Sequence, residues 1–236
     1  MKASRLKSIK KAILKNTLEF IVIVLGISIS FYLEKQNTFA HKETVKNQSL
    51  NRILNNFKDD QIDYTYNLEA HKGAVKSCQW IVKNQHNLSH FSKDSVGYHL
   101  GYAIYTNTRF RDNQEEYRGL QNSGLIELIE NGKVVSGLQK KYMMHAVYKS
   151  AENNISNLTE TISDFMYINT KFKSGKTNQL GYNADRTYVG DNNIPHLIIQ
   201  KIQEKKFMHQ YYLKNLKERV AADKELIKLI MNEIEK

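Results

Sequence analysis

His86 and His90 stand four residues apart, a spacing that puts two imidazoles on one helix face, and His99 could complete a metal triad. No carboxylate is fixed beside them and no His-Glu-x-x-His pattern exists, so they read as surface or capping histidines. Lys173 to Thr177, KSGKT, imitates the end of a phosphate-binding loop, but Thr170 occupies the place of the required first glycine. Cys78 is the one cysteine; it can form neither an internal disulfide nor a multi-cysteine zinc site, and it falls on an apolar stripe where an inert buried thiol is expected. Tyr98, Tyr102 and Tyr105, with Arg109 and Arg111 behind them, mix aromatic and basic groups as ligand or RNA surfaces do. Their gaps of 4 and 3 describe more simply the inner face of a short helix with wet hydroxyls. No Ser-His-Asp or Cys-His set can be assembled. The expectation is a non-enzymatic chain with no catalytic residue, no cofactor and no metal.

One acidic residue has an unusual setting. Glu19 opens the run Phe20 to Leu33, FIVIVLGISISFYL, which carries no charge, and Gly26 interrupts the branched side chains near its middle. Ahead of it, residues 1–18 hold Lys2, Arg5, Lys7, Lys10, Lys11 and Lys15 and no acid, so more than half of the net charge of +11 sits in a short tail. A basic flank before an apolar run is what membrane insertion reads. The run alone spans about 21 Å as a helix, and extension back to Ile13 gives about 31 Å, against a hydrocarbon core of about 30 Å. Lys15 can snorkel to the headgroups, and Glu19, one turn inside, can meet water, a neighbouring lysine or a proton. A cleaved signal would need small residues after the run, where Glu34, Lys35, Gln36 and Asn37 stand. The segment Thr17 to Ile27 is also similar to the start of type IV pilins, although Asn16 replaces the glycine their processing requires.

The charge asymmetry places residues 1–12 as a basic cytoplasmic tail, 13–33 as a transmembrane helix and 34–236 outside the cytoplasm, which in a bacterium means the periplasm. With most of the chain there, nucleic acid is not an expected partner.

The elements that must carry these residues are helical. A single proline in 236 residues disfavours turn-rich sheets. Leu50, Leu54, Phe57, Gln61, Tyr64, Leu68, His71, Val75, Cys78 and Val82 recur at alternating gaps of 4 and 3, which is heptad spacing. Tyr148, Ala151, Ile155, Leu158, Ile162 and Phe165 form a second stripe, and Ile198, Ile202, Met208, Tyr212, Leu216 and Val220, toward Leu226 and Ile230, a third. The polar entries Gln61 and His71 fit a bundle better than an extended coiled coil. Glycines at 97, 101, 119, 124, 132 and 137 divide Ser89 to Gly137 into short helices. Residues 171–193 read as an exposed loop, and Asn193 with Pro195 starts the last helix. The expected fold class is all-α: an N-terminal transmembrane helix followed by a helical bundle with long amphipathic helices.

Within the middle segment, Glu115 to Tyr142 reads EEYRGLQNSGLIELIENGKVVSGLQKKY. Leu120, the pair Ser123 and Gly124, Leu128 and Ile129, Asn131, Leu138 and Tyr142 follow one another in a pattern that resembles an uncharacterised bacterial family of single-span membrane proteins, domain-of-unknown-function family 6090. The resemblance extends to the span through Glu19, Gly26 and Ile27, and departs from it where Leu18 replaces a glycine and Lys35, Gln36 and Asn37 replace Trp-Asn-Glu. It implies membrane anchoring with no known activity. On physical grounds Ser123 and Gly124 suit a helix stop and cap, with Leu120, Leu125, Leu128 and Ile129 packing a short helix on the long ones.

The functional expectation is a single-pass scaffold or interaction module at the bacterial inner membrane. Its partners would be membrane lipid and either a second copy or a membrane or periplasmic protein, with Glu19 and Gly26 at a helix contact in the bilayer. The alternative is an accessory subunit of a membrane transport or energy-coupling complex in which Glu19 carries a proton.

Overall fold

Nothing in the first 84 residues stops a helix: no proline is present, and glycine occurs only at positions 26 and 73. In the structure, a computed structural model describing residues 2–173 and 185–235 with side chains from Leu14 onward, this stretch is one uninterrupted helix. α1 (Lys2–Asn84) has 83 residues and is about 125 Å long at 1.5 Å per residue. The sequence divides it into a span at 13–33 and a separate stripe from Leu50; the structure joins them without a break.

Among the described residues there follow α2 (Lys93–Tyr105), α3 (Glu115–Asn122), α4 (Gly132–Asn169), a two-stranded sheet of β1 (Thr170–Phe172) and β2 (Arg186–Tyr188), and α5 (His196–Ile234). Short 3-10 turns precede α2 and α4. The architecture is all-helical apart from that sheet. α4 begins well before the stripe at Tyr148 and takes in Gly132 and Gly137, which the sequence places among short helices.

Three long helices share the core. Lys46 meets Glu233 and His71 meets His209, so α5 runs antiparallel to α1; Lys141 meets Asp60, and Ile162 and Met166 join Cys78, so α4 runs parallel to α1. The buried line on α1 is Leu50, Ile53, Phe57, Asp60, Tyr64, Asn67, His71, Ala74, Cys78 and Ile81. Half of the expected seam is therefore offset by one residue: Ile53, Asp60, Asn67, Ala74 and Ile81 face inward in place of Leu54, Gln61, Leu68, Val75 and Val82. α4 and α5 carry seams of the same alternation, including Lys141, Glu152, Lys205, His209, Arg219, Asp223 and Glu233.

The chain must return from the end of α1 to the start of α4 along the whole bundle. It does so as α2, an extended stretch from Thr106 to Gln114, and α3. α2 packs into the far cluster with Cys78, Leu100 and Ile162, Phe110 enters the middle one beside Tyr64 and Tyr148, and Leu120 enters the base with Leu50 and Leu138.

The expected loop at 171–193 is corrected at its edges. Thr170 pairs with Tyr188 and Phe172 with Arg186 in an antiparallel ladder. The Arg186 guanidinium lies 4.0 Å from the Phe172 ring and 4.6 Å from the Tyr105 ring, and it donates to Thr170 Oγ1. β2 crosses α2 at Gly97, where any Cβ would stand 2.1 Å from the Arg186 carbonyl oxygen.

Candidate functional site

α1 leaves its partners at Lys46. Every residue from Leu14 to Lys42 is exposed, among them Phe20, Ile23, Leu25, Ile29, Phe31 and Leu33, each more than half accessible. This segment holds a window long and apolar enough to cross a membrane, and none of that window is buried by the rest of the chain. Between Leu33 and Lys46 the bare helix advances about 20 Å before the bundle begins.

Lys15 Nζ lies 3.7 Å from Glu19 Oε1, one turn apart, which gives the carboxylate a counter-ion on its own helix. Gly26 has open space around its Cα, and its carbonyl accepts from Ser30 Oγ at 2.9 Å, so two small residues share a face one turn apart. Glu19 and Gly26 thus lie on the same exposed stretch, separated by seven residues, and touch nothing in the bundle.

Residues of the Glu115–Tyr142 segment build the base. Leu120 and Leu138 are fully buried, Ile129 nearly so, and Tyr142 stacks on Tyr117 with ring centroids 4.5 Å apart. Ser123 Oγ donates to the Gly119 carbonyl and Gly124 takes φ +71°, the left-handed turn that stops α3. Leu128 is half-buried at the end of the following turn, and the Asn131 side chain caps α4 by accepting from Lys133 N–H.

A second set of residues was not singled out by sequence. Lys141 Nζ stands 2.6 Å from Asp60 Oδ2 and 3.1 Å from Asp223 Oδ2, all three side chains nearly inaccessible. Tyr64 donates to Asp223, and Arg219 approaches its other oxygen at 2.6 Å. Burial pushes the Asp60 carboxyl up to about 6 although Lys141 opposes it.

One layer further along, side chains hold the extended segment where no helix satisfies its backbone. Phe110 N–H donates to Glu152, Arg111 N–H to Asp63, and Lys149 to the Phe110 carbonyl. Thr108 Oγ1 donates to Asn67 Oδ1 at 2.7 Å and accepts from His71 Nε2 at 2.9 Å. His71 and His209 meet through their Nδ1 atoms at 2.7 Å. Lys205 is fully buried with the Ile155 carbonyl and Thr159 hydroxyl as acceptors.

His86, His90 and His99 do not come together. α1 ends at Asn84, so His86 and His90 share no helix and are exposed, while His99 stacks on Trp80 and contacts Ser77. No group of three or more His, Cys, Asp or Glu side chains among the described residues is placed to hold a metal ion. Cys78 is buried and its thiol pushed up to about 12 by that burial, which keeps it inert. Tyr102 is buried, Tyr105 holds Arg186, and Tyr98, Arg109 and Arg111 face solvent. Lys173 pairs with Asp94, and the rest of KSGKT lies outside the described residues.

Two surface cavities lie on the bundle. One, of about 580 Å³, is a groove between α4 and α5 lined by Ala146, Val147, Ser150, Phe207, Met208 and Tyr211. The other, of about 470 Å³, is polar: His145 Nδ1 lies 2.6 Å from Asp112 Oδ1 beside Arg111 and Arg118. Its lining is Arg111, Asp112, Asn113, Gln114, Glu115, Arg118 and His145, with no hydroxyl or thiol side chain among them.

No family model, curated protein or solved structure matches the chain.

Proposed function

We propose that the protein is a single-pass membrane-anchored scaffold or interaction module, with residues 1–12 in the cytoplasm, 13–33 in the bilayer and the bundle on the periplasmic side of a bacterial inner membrane. The observation that carries this reading is the bare apolar stretch of α1. An aqueous protein would have to leave this face in water, at a cost of about 25 cal/mol for each Å². The basic residues ahead of the span and the mixed charges after it set the orientation. Membership of the single-span family that the Glu115–Tyr142 segment resembles belongs to the same proposal.

The partner is a second copy or a membrane or periplasmic protein, engaged within the bilayer through Glu19 and Gly26, where the small residues Gly26 and Ser30 let helix backbones approach closely. Anchoring is preferred to the alternative of a transport or energy-coupling subunit because Glu19 has a counter-ion, Lys15, one turn away on its own helix. Glu19→Gln with unchanged proton-dependent function of any co-purified complex would count against that alternative.

Thiol labelling tests the topology directly, since Cys78 is buried and gives little background. In intact cells stripped of outer membrane, an impermeant maleimide should label Asp191→Cys and spare Ser8→Cys. The reverse pattern, or labelling of neither until lysis, would refute the orientation. Crosslinking in the same membranes should trap a dimer or a heterologous adduct, and a strictly monomeric product would remove the assembly role.

A further inference from the structure

The hydrogen bonds around His71 fix where each proton sits. Asn67 Nδ2 donates to the Asp63 carbonyl and carboxylate, so its Oδ1 faces Thr108 and accepts that hydroxyl proton. Thr108 can then only accept from His71, which makes His71 the Nε2–H tautomer with a bare Nδ1. His209 must supply Nδ1–H to it, and His209 Nε2 is left bare, with no closed hydrogen bond and only the Ala103 carbonyl nearby to receive a proton placed there. The pair shares four ring nitrogens and two protons, and every proton is committed. A further proton would make an imidazolium in a dry layer.

The groups facing that layer offer it no counter-charge. From α5 come Lys205 and the Tyr212 ring, which lies 4.4 Å from His71; from α1 comes the neutral thiol of Cys78; from α2 the Ala103 carbonyl. The nearest carboxylates are already engaged, Glu152 of α4 by Phe110 N–H, Tyr212 and Lys149, and Asp63 of α1 by Asn67 and Arg111 N–H. On one side the cover is only the extended segment Thr106–Gln114, held by side chains and not by a helix.

We propose that the His71–His209–Lys205 layer is an acid-sensitive latch: a proton added to the histidine pair loosens the bundle at this layer and releases the extended segment between α2 and α3. Burial agrees in direction, holding His71 down to about 3, His209 well below its ordinary value and Lys205 down to about 7. A group held neutral in the fold contributes stability that is complete above its unfolded value and drains away below it, so the imidazoles act as pH falls through 6.5. Near neutrality Lys205 takes up its proton, and the imidazoles then face a fixed charge. This device concerns the bundle alone and stands whether or not α1 spans a membrane.

Hydrogen exchange on the full-length chain, in lipid nanodiscs or buffer, tests it at the amides of Phe110 and Arg111. Protection, corrected for the intrinsic rate, should fall on the order of thirtyfold or more between pH 7.5 and 5.0, the linkage value for one imidazole held neutral. Amides of the base, around Leu138 and Leu226, should lose less. The pair variant His71→Gln with His209→Gln should flatten the response. Lys205→Met, which preserves the core if the pair variant does not fold, should shrink it by removing the competing charge. Unchanged wild-type protection, or a fall undiminished in every variant that folds, would overturn the latch.

Discussion

Lys46 and Glu233 approach to 3.9 Å at the base of the bundle, both nearly inaccessible, and mark the level at which α1 loses its partners. Glu233 also accepts the backbone N–H groups of Glu130 at 2.8 Å and Asn131 at 3.2 Å, so one carboxylate near the end of α5 ties α1 and the start of α4 together. Below this clamp the helix is bare.

Removing that carboxylate should therefore loosen the base as a unit. Glu233→Ala leaves the Glu130 and Asn131 N–H donors without their acceptor, while Lys46 keeps Glu43 at 2.6 Å, and we expect a loss of about 1–3 kcal/mol by denaturant unfolding. Glu233→Gln, which keeps one acceptor, should cost less. Equal stability of Glu233→Ala and the parent would show that the clamp is not closed.

Lys141 should be harder to lose alone than with Asp60. Lys141→Met leaves Asp60 and Asp223 facing each other in the core and should destabilise by about 3–5 kcal/mol. Adding Asp60→Leu removes the stranded carboxylate while Asp223 keeps Arg219 and Tyr64, and should recover most of that loss. A double variant weaker than the single one would assign the Lys141–Asp60 pair a positive contribution to stability.

Acid should act on the global fold through opposing groups. Asp60, raised from 3.8 to about 6, is protonated more readily in the fold, so its burial costs stability above 6 and relieves that cost as pH falls toward 3.8. Asp63, also raised by burial, has the same sign, whereas His71 and His209 lose stability below 6.5. Asp60→Asn removes one compensating group and should lose stability more steeply than the parent between pH 6.5 and 4 in thermal melts. Parallel curves would contradict this assignment.

Two glycines in short helices should respond oppositely to alanine. Gly97→Ala drives a Cβ into the Arg186 backbone and should cost about 1–3 kcal/mol, lifting β2 from α2. Gly119→Ala meets open space in α3 and should be neutral or stabilising by up to about 1 kcal/mol. Melting temperatures of the two variants would check the contrast.

Much of this fold was legible because long helices announce themselves by period. The three long helices, the helix stop at Ser123 and Gly124, and the start of α5 beside Pro195 all appear where local chemistry puts them. The offset in the α1 seam has a different origin. Leu54, Leu68, Val75 and Val82 are apolar neighbours of positions that the core actually uses. Asp60 and Asn67 are inside because Lys141 and Thr108, 81 and 41 residues away, give them partners. The same holds for His209 and Lys205, which no periodicity of apolar residues can reveal. The sheet at Thr170 and Arg186 is three residues on each side, too short to show alternation, and rests on the closeness that Gly97 permits.

The central claim is that Phe20 to Leu33 resides in lipid. Alkaline extraction of isolated membranes separates integral from adherent proteins and tests it most directly. The full-length chain should remain in the pellet, and a variant carrying Val24→Lys and Ile27→Lys should pass to the supernatant. Recovery of the unaltered chain as a freely dissolved protein would contradict the account.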